Sequence, residues 1–149
     1  MLCRIERNIM NETFDIAYQP PSPLLDSLSE KQREAVNHLA NRKNGIAWWK
    51  VGEGKTRIAL AWMFYVVPDP KPLVICSPGA FRQWEDEIEL LRLELGVRYL
   101  SYGMLSRKPP DIEFEKFNCL IVDELWLYKN PASKRSRKIW QIARRVPSI

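Results

Sequence analysis

Hydrophobic and polar positions along the 149-residue chain switch repeatedly between a helical and a strand period. Over residues 27–41, Leu28, Ala35, Val36, Leu39 and Ala40 recur at helical spacing, and Ser29 is placed to cap that helix ahead of Gln32. The short apolar run Gly45-Ile46-Ala47-Trp48-Trp49 predicts a strand, and a glycine-rich turn then leads into the apolar segment 58–67, a buried helix. Pro68, Pro70 and Pro72 close this helix, and Leu73-Val74-Ile75-Cys76 reads as a second strand, buried on both faces. Pro78 and Gly79 open a helix in which Phe81, Trp84, Ile88 and Leu91 face one way and Asp86, Glu89 and Arg92 another, with Gly96 placed to end it. Residues 97–102 predict a third strand, Lys108-Pro109-Pro110 an exposed loop, Cys119-Leu120-Ile121-Val122 a fourth strand, and residues 132–146 a basic helix. Strands alternating with helices predict an α/β fold with a mainly parallel sheet flanked by helices. The first 23 residues show no clear period, and Pro20, Pro21 and Pro23 mark a stiff connector, so residues 1–23 read as an N-terminal arm and 24–149 as the domain.

Composition narrows the class. At 46% hydrophobic and 28% charged residues, the chain has the profile of one folded domain. Its longest apolar run, residues 58–67, falls short of the roughly 18 residues of a membrane span, and no secretory leader is recognisable. The expectation is a cytoplasmic protein without a membrane partner. Cys3, Cys76 and Cys119 are too few and too scattered for a disulfide framework, and the single His38 leaves a zinc site or a histidine-based nucleophile without partners. The net charge of +5 is concentrated: after Trp126 there are seven basic residues and no acid. Lys129, Lys134, Arg135, Arg137, Lys138, Arg144 and Arg145 can attract a phosphate backbone, or they can form a solvated helix face.

The sharpest chemistry lies in Gly52-Glu53-Gly54-Lys55-Thr56, between a predicted strand and a predicted helix. Backbone N–H groups of such a loop converge on an anion where the helix dipole also favours negative charge. Lys55 can reach the β and γ phosphates of a nucleotide, and the Thr56 hydroxyl suits Mg²⁺. Trp49 stands where the full phosphate-loop pattern has glycine, and Glu53 must point outward or pair with a base such as Lys50. Arg57 can touch phosphate or remain a helix-surface charge. Asp123 and Glu124 follow the fourth strand, at the end of a strand where open α/β sheets bind ligands. Asp123 is suited to hold the metal and Glu124 to polarise an attacking water.

Taken in order, these motifs resemble superfamily-two helicases and translocases, and most closely the Swi/Snf-type translocases of double-stranded DNA, over about residues 24–149. Gln32 is similar to the family's adenine-reading glutamine, and Asp123-Glu124-Leu125-Trp126 stands where the family has Asp-Glu-Ala-His. Lys129-Asn130-Pro131 resembles a Lys-Asn-Pro of the same branch. Cys76-Ser77-Pro78 with Gln83-Trp84, and Ser101-Tyr102-Gly103, are similar to two motifs that contact the DNA backbone in the family. The resemblance implies a RecA-like P-loop lobe, incomplete at its C-terminus, binding ATP and Mg²⁺. It implies catalytic roles for Lys55, Asp123 and Glu124, nucleotide contacts from Gln32 and residues 52–57, and a metal held by Thr56 and Asp123. It further implies nucleic-acid contacts from Ser77, Pro78, Gln83, Ser101, Tyr102 and Gly103, to which the basic segment adds Lys134 and Arg135. The family's next motif, with a strand between the phosphate-loop strand and the Asp-Glu strand, does not appear before Ile149. An interrupted sheet ladder at that place is therefore expected, with the remaining motifs and the second lobe on a further C-terminal region or a second chain, and poor hydrolysis by this chain alone. The alternative expectation is a non-catalytic regulatory module that binds DNA or protein.

Overall fold

The structure, a computed structural model, describes residues 2–3, 20–40, 45–47, 49–50, 52–107 and 112–146. Trp48, Val51, the Lys108-Pro109-Pro110 loop, the greater part of the arm and residues 147–149 lie outside the described residues.

The chain forms an α/β fold. Strand β1 (Leu2–Cys3) is followed by helix α1 (Ser22–Asp26) and helix α2 (Glu30–Ala40). Two of the three prolines expected to form a stiff connector instead start α1: Pro21 is its N-cap and Pro23 lies in the first turn, where a fixed φ and a missing N–H cost nothing. Leu24 of α1 is fully buried. At the start of α2, Ser29 and Gln32 form the capping box read from the sequence, with the Ser29 N–H donating to Gln32 Oε1 at 2.8 Å and the Gln32 N–H to Ser29 Oγ at 3.4 Å.

Strand β2 (Gly45–Ile46) is shorter than the apolar run that predicts it, and helix α3 (Lys55–Val66) starts directly at the glycine-rich turn. Residues 58–63 of α3 are all buried, as a helix covered on every side must be. Strand β3 (Pro72–Cys76), helix α4 (Pro78–Leu90) and strand β4 (Arg98–Ser101) follow. The last expected residue of β4, Tyr102, instead begins helix α5 (Tyr102–Ser106), because the Ser101 hydroxyl accepts the Met104 N–H at 3.2 Å and caps a new helix. A 3₁₀ turn (Phe114–Lys116), strand β5 (Cys119–Val122), a second 3₁₀ turn (Leu125–Tyr128) and helix α6 (Lys134–Ala143) complete the described order.

The sheet runs β2-β1-β5-β3-β4. Its centre, β3, pairs in parallel with both β4 and β5, matching Val74 with Tyr99 and with Ile121. The interruption expected beside the Asp-Glu strand is bridged. Strand β1 lies antiparallel between β2 and β5, with Leu2 opposite Ile46 on one side and Val122 on the other, and Cys3 opposite Gly45.

Alternation along β3 and β5 divides the core in two, as the period of a strand requires. Val74, Cys76, Cys119 and Ile121 pack with Leu24, Val36, Leu60 and Trp84 on the face covered by α1 to α4. Leu73, Ile75, Leu120 and Val122 pack on the other face with Leu105, Phe114, Tyr128, Ile139 and Ile142, from α5, the 3₁₀ turns and α6. Among the described residues no helix is long and apolar enough to cross a membrane.

Candidate functional site

The turn before α3 owes its shape to two glycines in the left-handed region, Gly52 at φ 84° and Gly54 at φ 76°. Gly54 is the N-cap of α3, and a Cβ there would also run into the Gln32 side-chain amide. Helix geometry leaves the first-turn N–H groups of Lys55, Thr56 and Arg57 without carbonyls of their own helix, and these are the groups an anion would meet.

The loop is closed on itself. Glu53 Oε2 accepts the Lys50 N–H at 2.6 Å, so its carboxylate is taken up by the backbone of the turn. The Lys55 ammonium donates to the carbonyls of Lys50 at 2.8 Å and Trp49 at 3.3 Å, holding its charge at the mouth of the loop. Gln32 is committed at both ends: its Oε1 caps α2 while its Nε2 donates to the Glu53 carbonyl at 3.1 Å. In this arrangement Gln32 clamps the loop. Arg57 is paired through Nε and Nη2 with both oxygens of Glu87 on α4, at 2.7 and 3.3 Å.

Asp123 and Glu124 come next after β5, at the end of the sheet nearest this loop. Asp123 Oδ1 accepts the Glu124 N–H at 2.8 Å, and Glu124 adopts φ 48°, a conformation that L side chains rarely hold. The loop and the acidic turn line one cleft of about 510 Å³, to which Lys55, Thr56, Asp123 and Glu124 contribute together with Ser77 of the β3–α4 connection and Gln83 of α4. Burial, and then the nearby Asp123 and Glu124 carboxylates, pushes the Cys76 thiol at the end of β3 up to about 12, which leaves it neutral.

No family model and no curated protein matches the chain.

A hydroxyl from Thr56 and a carboxylate from Asp123 in one cleft form a hard oxygen donor set of the kind Mg²⁺ takes when phosphate oxygens and water complete its shell. Among the described residues no group of three or more His, Cys, Asp or Glu converges as an all-protein cage. Thr56 and Asp123 are the cleft residues that could contribute such oxygens.

The other expected contacts divide. Ser77 and Gln83 line the cleft, and Pro78 is exposed at the start of α4. Ser101 is only 9% exposed, with its hydroxyl engaged as the α5 cap. Tyr102 is half-buried, and its hydroxyl donates to the Asp123 carbonyl at 2.9 Å. Burial, with Tyr128 and the two carboxylates nearby, pushes the Tyr102 phenol up, so it stays a donor. Gly103 is exposed beside them. Lys134 and Arg135 are exposed on α6, which buries Ser136, Ile139 and Ile142 against the sheet and turns its charge outward.

Sequence reasoning missed Glu87, which fixes Arg57, and the inward role of Tyr102. Neither shows a local signal, because their partners lie 30 and 21 residues away.

Proposed function

We propose that the chain binds ATP with Mg²⁺ in this cleft, as a RecA-like nucleotide-binding lobe of a Swi/Snf-like, DNA-dependent motor. The single observation that supports the reading most is that Lys55, Thr56, Asp123 and Glu124 line one cleft beside the three parallel strands β4-β3-β5. In this reading the Lys55 ammonium would exchange the Lys50 and Trp49 carbonyls for phosphate oxygens, and the first-turn N–H groups of α3 would donate to the same phosphates. Thr56 and Asp123 would hold the metal, whose chemistry would be to neutralise charge on the phosphates. Glu124 orients and polarises water. Gln32 acts on the loop through the Glu53 carbonyl, and Arg57 acts through Glu87 rather than on phosphate.

Stepping along DNA requires a second lobe that closes on ATP and opens after hydrolysis, so the motor activity belongs to an assembly in which another segment or chain supplies that lobe. The test is phosphate release by the chain, with and without duplex DNA and such a partner. The reading expects DNA-stimulated release that disappears in Lys55→Ala and Glu124→Gln. Release unaffected by both substitutions would overturn it.

A second reading has its own observation. The outward basic face of α6, with Lys134, Arg135 and Arg137 exposed and no acidic residue in the helix, suits a phosphate backbone without any nucleotide. A regulatory module of this kind would bind duplex DNA in a salt-sensitive manner, and that binding would survive Lys55→Ala.

A further inference from the structure

The peptide unit joining Asp123 to Glu124 is gripped at both ends. Its carbonyl accepts the Tyr102 hydroxyl at 2.9 Å, and its N–H donates back to Asp123 Oδ1 at 2.8 Å. Because the unit is planar, two such bonds fix the plane from which the Glu124 side chain departs. Glu124 leaves it at φ 48°, a conformation that persists in an L residue only where its surroundings impose it.

The contacts behind Tyr102 lead to the basic helix. The Tyr102 ring meets the Tyr128 ring at 65°, with centroids 5.7 Å apart, a favourable edge-to-face geometry. The Tyr128 carbonyl lies 3.1 Å from the Ser136 hydroxyl of α6, which also reaches the Asn130 carbonyl at 2.6 Å and is closed off by the Ser133 hydroxyl at 2.8 Å. Ser136 is 2% exposed, so this junction is protected from water. The Tyr128 hydroxyl is buried and has no partner among the described residues, so Tyr128 contributes its ring and its carbonyl, not its O–H.

We infer that Tyr102 is a positioning residue that holds the Asp123–Glu124 turn in its left-handed form and transmits to it the state of helix α6, coupling a phosphate backbone bound on that helix to nucleotide in the cleft. The inference rests on the nucleotide reading above. Its two-state element is the Glu124 backbone, which relaxes toward an ordinary conformation once the Asp123 carbonyl is released.

The test uses the full chain, a non-hydrolysable ATP analogue with Mg²⁺ and a short duplex oligonucleotide. Nucleotide affinity is measured without duplex and at saturating duplex, and amide exchange is followed at Glu124. Wild type is expected to change its nucleotide affinity about fivefold or more when duplex is bound. Tyr102→Phe, which keeps the ring and removes the donor, is expected to bring that ratio to within about twofold of unity and to speed Glu124 amide exchange about fivefold, the scale of one lost hydrogen bond. Tyr128→Phe removes only the unpartnered hydroxyl and is expected to keep both values.

Full coupling and unchanged Glu124 exchange in Tyr102→Phe would overturn the inference, as would independent binding of the two ligands by wild type. If wild type binds no nucleotide, the nucleotide reading itself falls. The exchange rate at Glu124 then decides the positioning role of Tyr102 on its own.

Discussion

Gly54 meets two demands at once. Its φ of 76° lies where an L side chain costs about 1–2 kcal/mol, and the space a Cβ would need is filled by the Gln32 amide. Gly54→Ala is therefore expected to destabilise the fold by about 1–3 kcal/mol, by the backbone cost and by displacing the Gln32 clamp, and to weaken nucleotide binding. Denaturant unfolding followed by calorimetry checks both, and an unchanged midpoint would contradict the packing described for the loop. Much of this residue-scale chemistry was legible. Ser29 and Gln32 announce a capping box by spacing alone, and the Gly52-Glu53-Gly54-Lys55-Thr56 string announces a tight turn into a helix. What was not legible is where the long side chains end. Gln32 on the Glu53 carbonyl, Arg57 on Glu87 and Tyr102 on the Asp123 carbonyl are tertiary contacts over 21 to 30 residues, and no local period encodes them.

Strands β3 and β5 could be read as elements because burial on both faces forces a continuous apolar run bounded by polar or turn residues. Their cysteines show the strength of that burial. Burial pushes both the Cys76 and the Cys119 thiol from the ordinary 9.0 up to about 12. A group that stays protonated in the fold but ionises when unfolded contributes stability below its unfolded value and loses it as pH rises from there toward the folded value. Stability is thus expected to fall between about pH 9 and 12, and both thiols are expected to resist alkylation at pH 8 in the native protein. Alkylation against denaturant concentration checks this, and rapid native-state labelling of either cysteine would contradict it. Helices α1 and α5 escaped the sequence pattern for physical reasons. The α1 prolines look like a connector until their place in a first turn is seen, and Tyr102 extends the apolar run of β4 although the Ser101 cap has already turned the chain into α5.

Across the whole molecule, the candidate site is split between two parts of the sheet. The loop follows β2 and the carboxylates follow β5, and β1 stands between them. A strand of two residues has no period to read, so this arrangement had no signature in the sequence. Successive residues of a strand point their N–H groups to opposite neighbours, so proline at both Leu2 and Cys3 would remove a donor toward each side. The double substitution is expected to raise amide exchange in β2 and along the β1-facing edge of β5 and to weaken nucleotide binding, whereas valine at both places keeps the donors and should leave both intact. Exchange in β5 that ignores the prolines would show that β1 does not join the two halves.

Titration calorimetry of the full chain with MgATP decides the proposal that residues 52–56 and the pair Asp123 and Glu124 close on one Mg²⁺-nucleotide. Saturable binding of one nucleotide per chain is expected, abolished in Lys55→Ala and weakened when Mg²⁺ is chelated. Absence of binding heat at several temperatures, from protein with a cooperative unfolding transition, would contradict it.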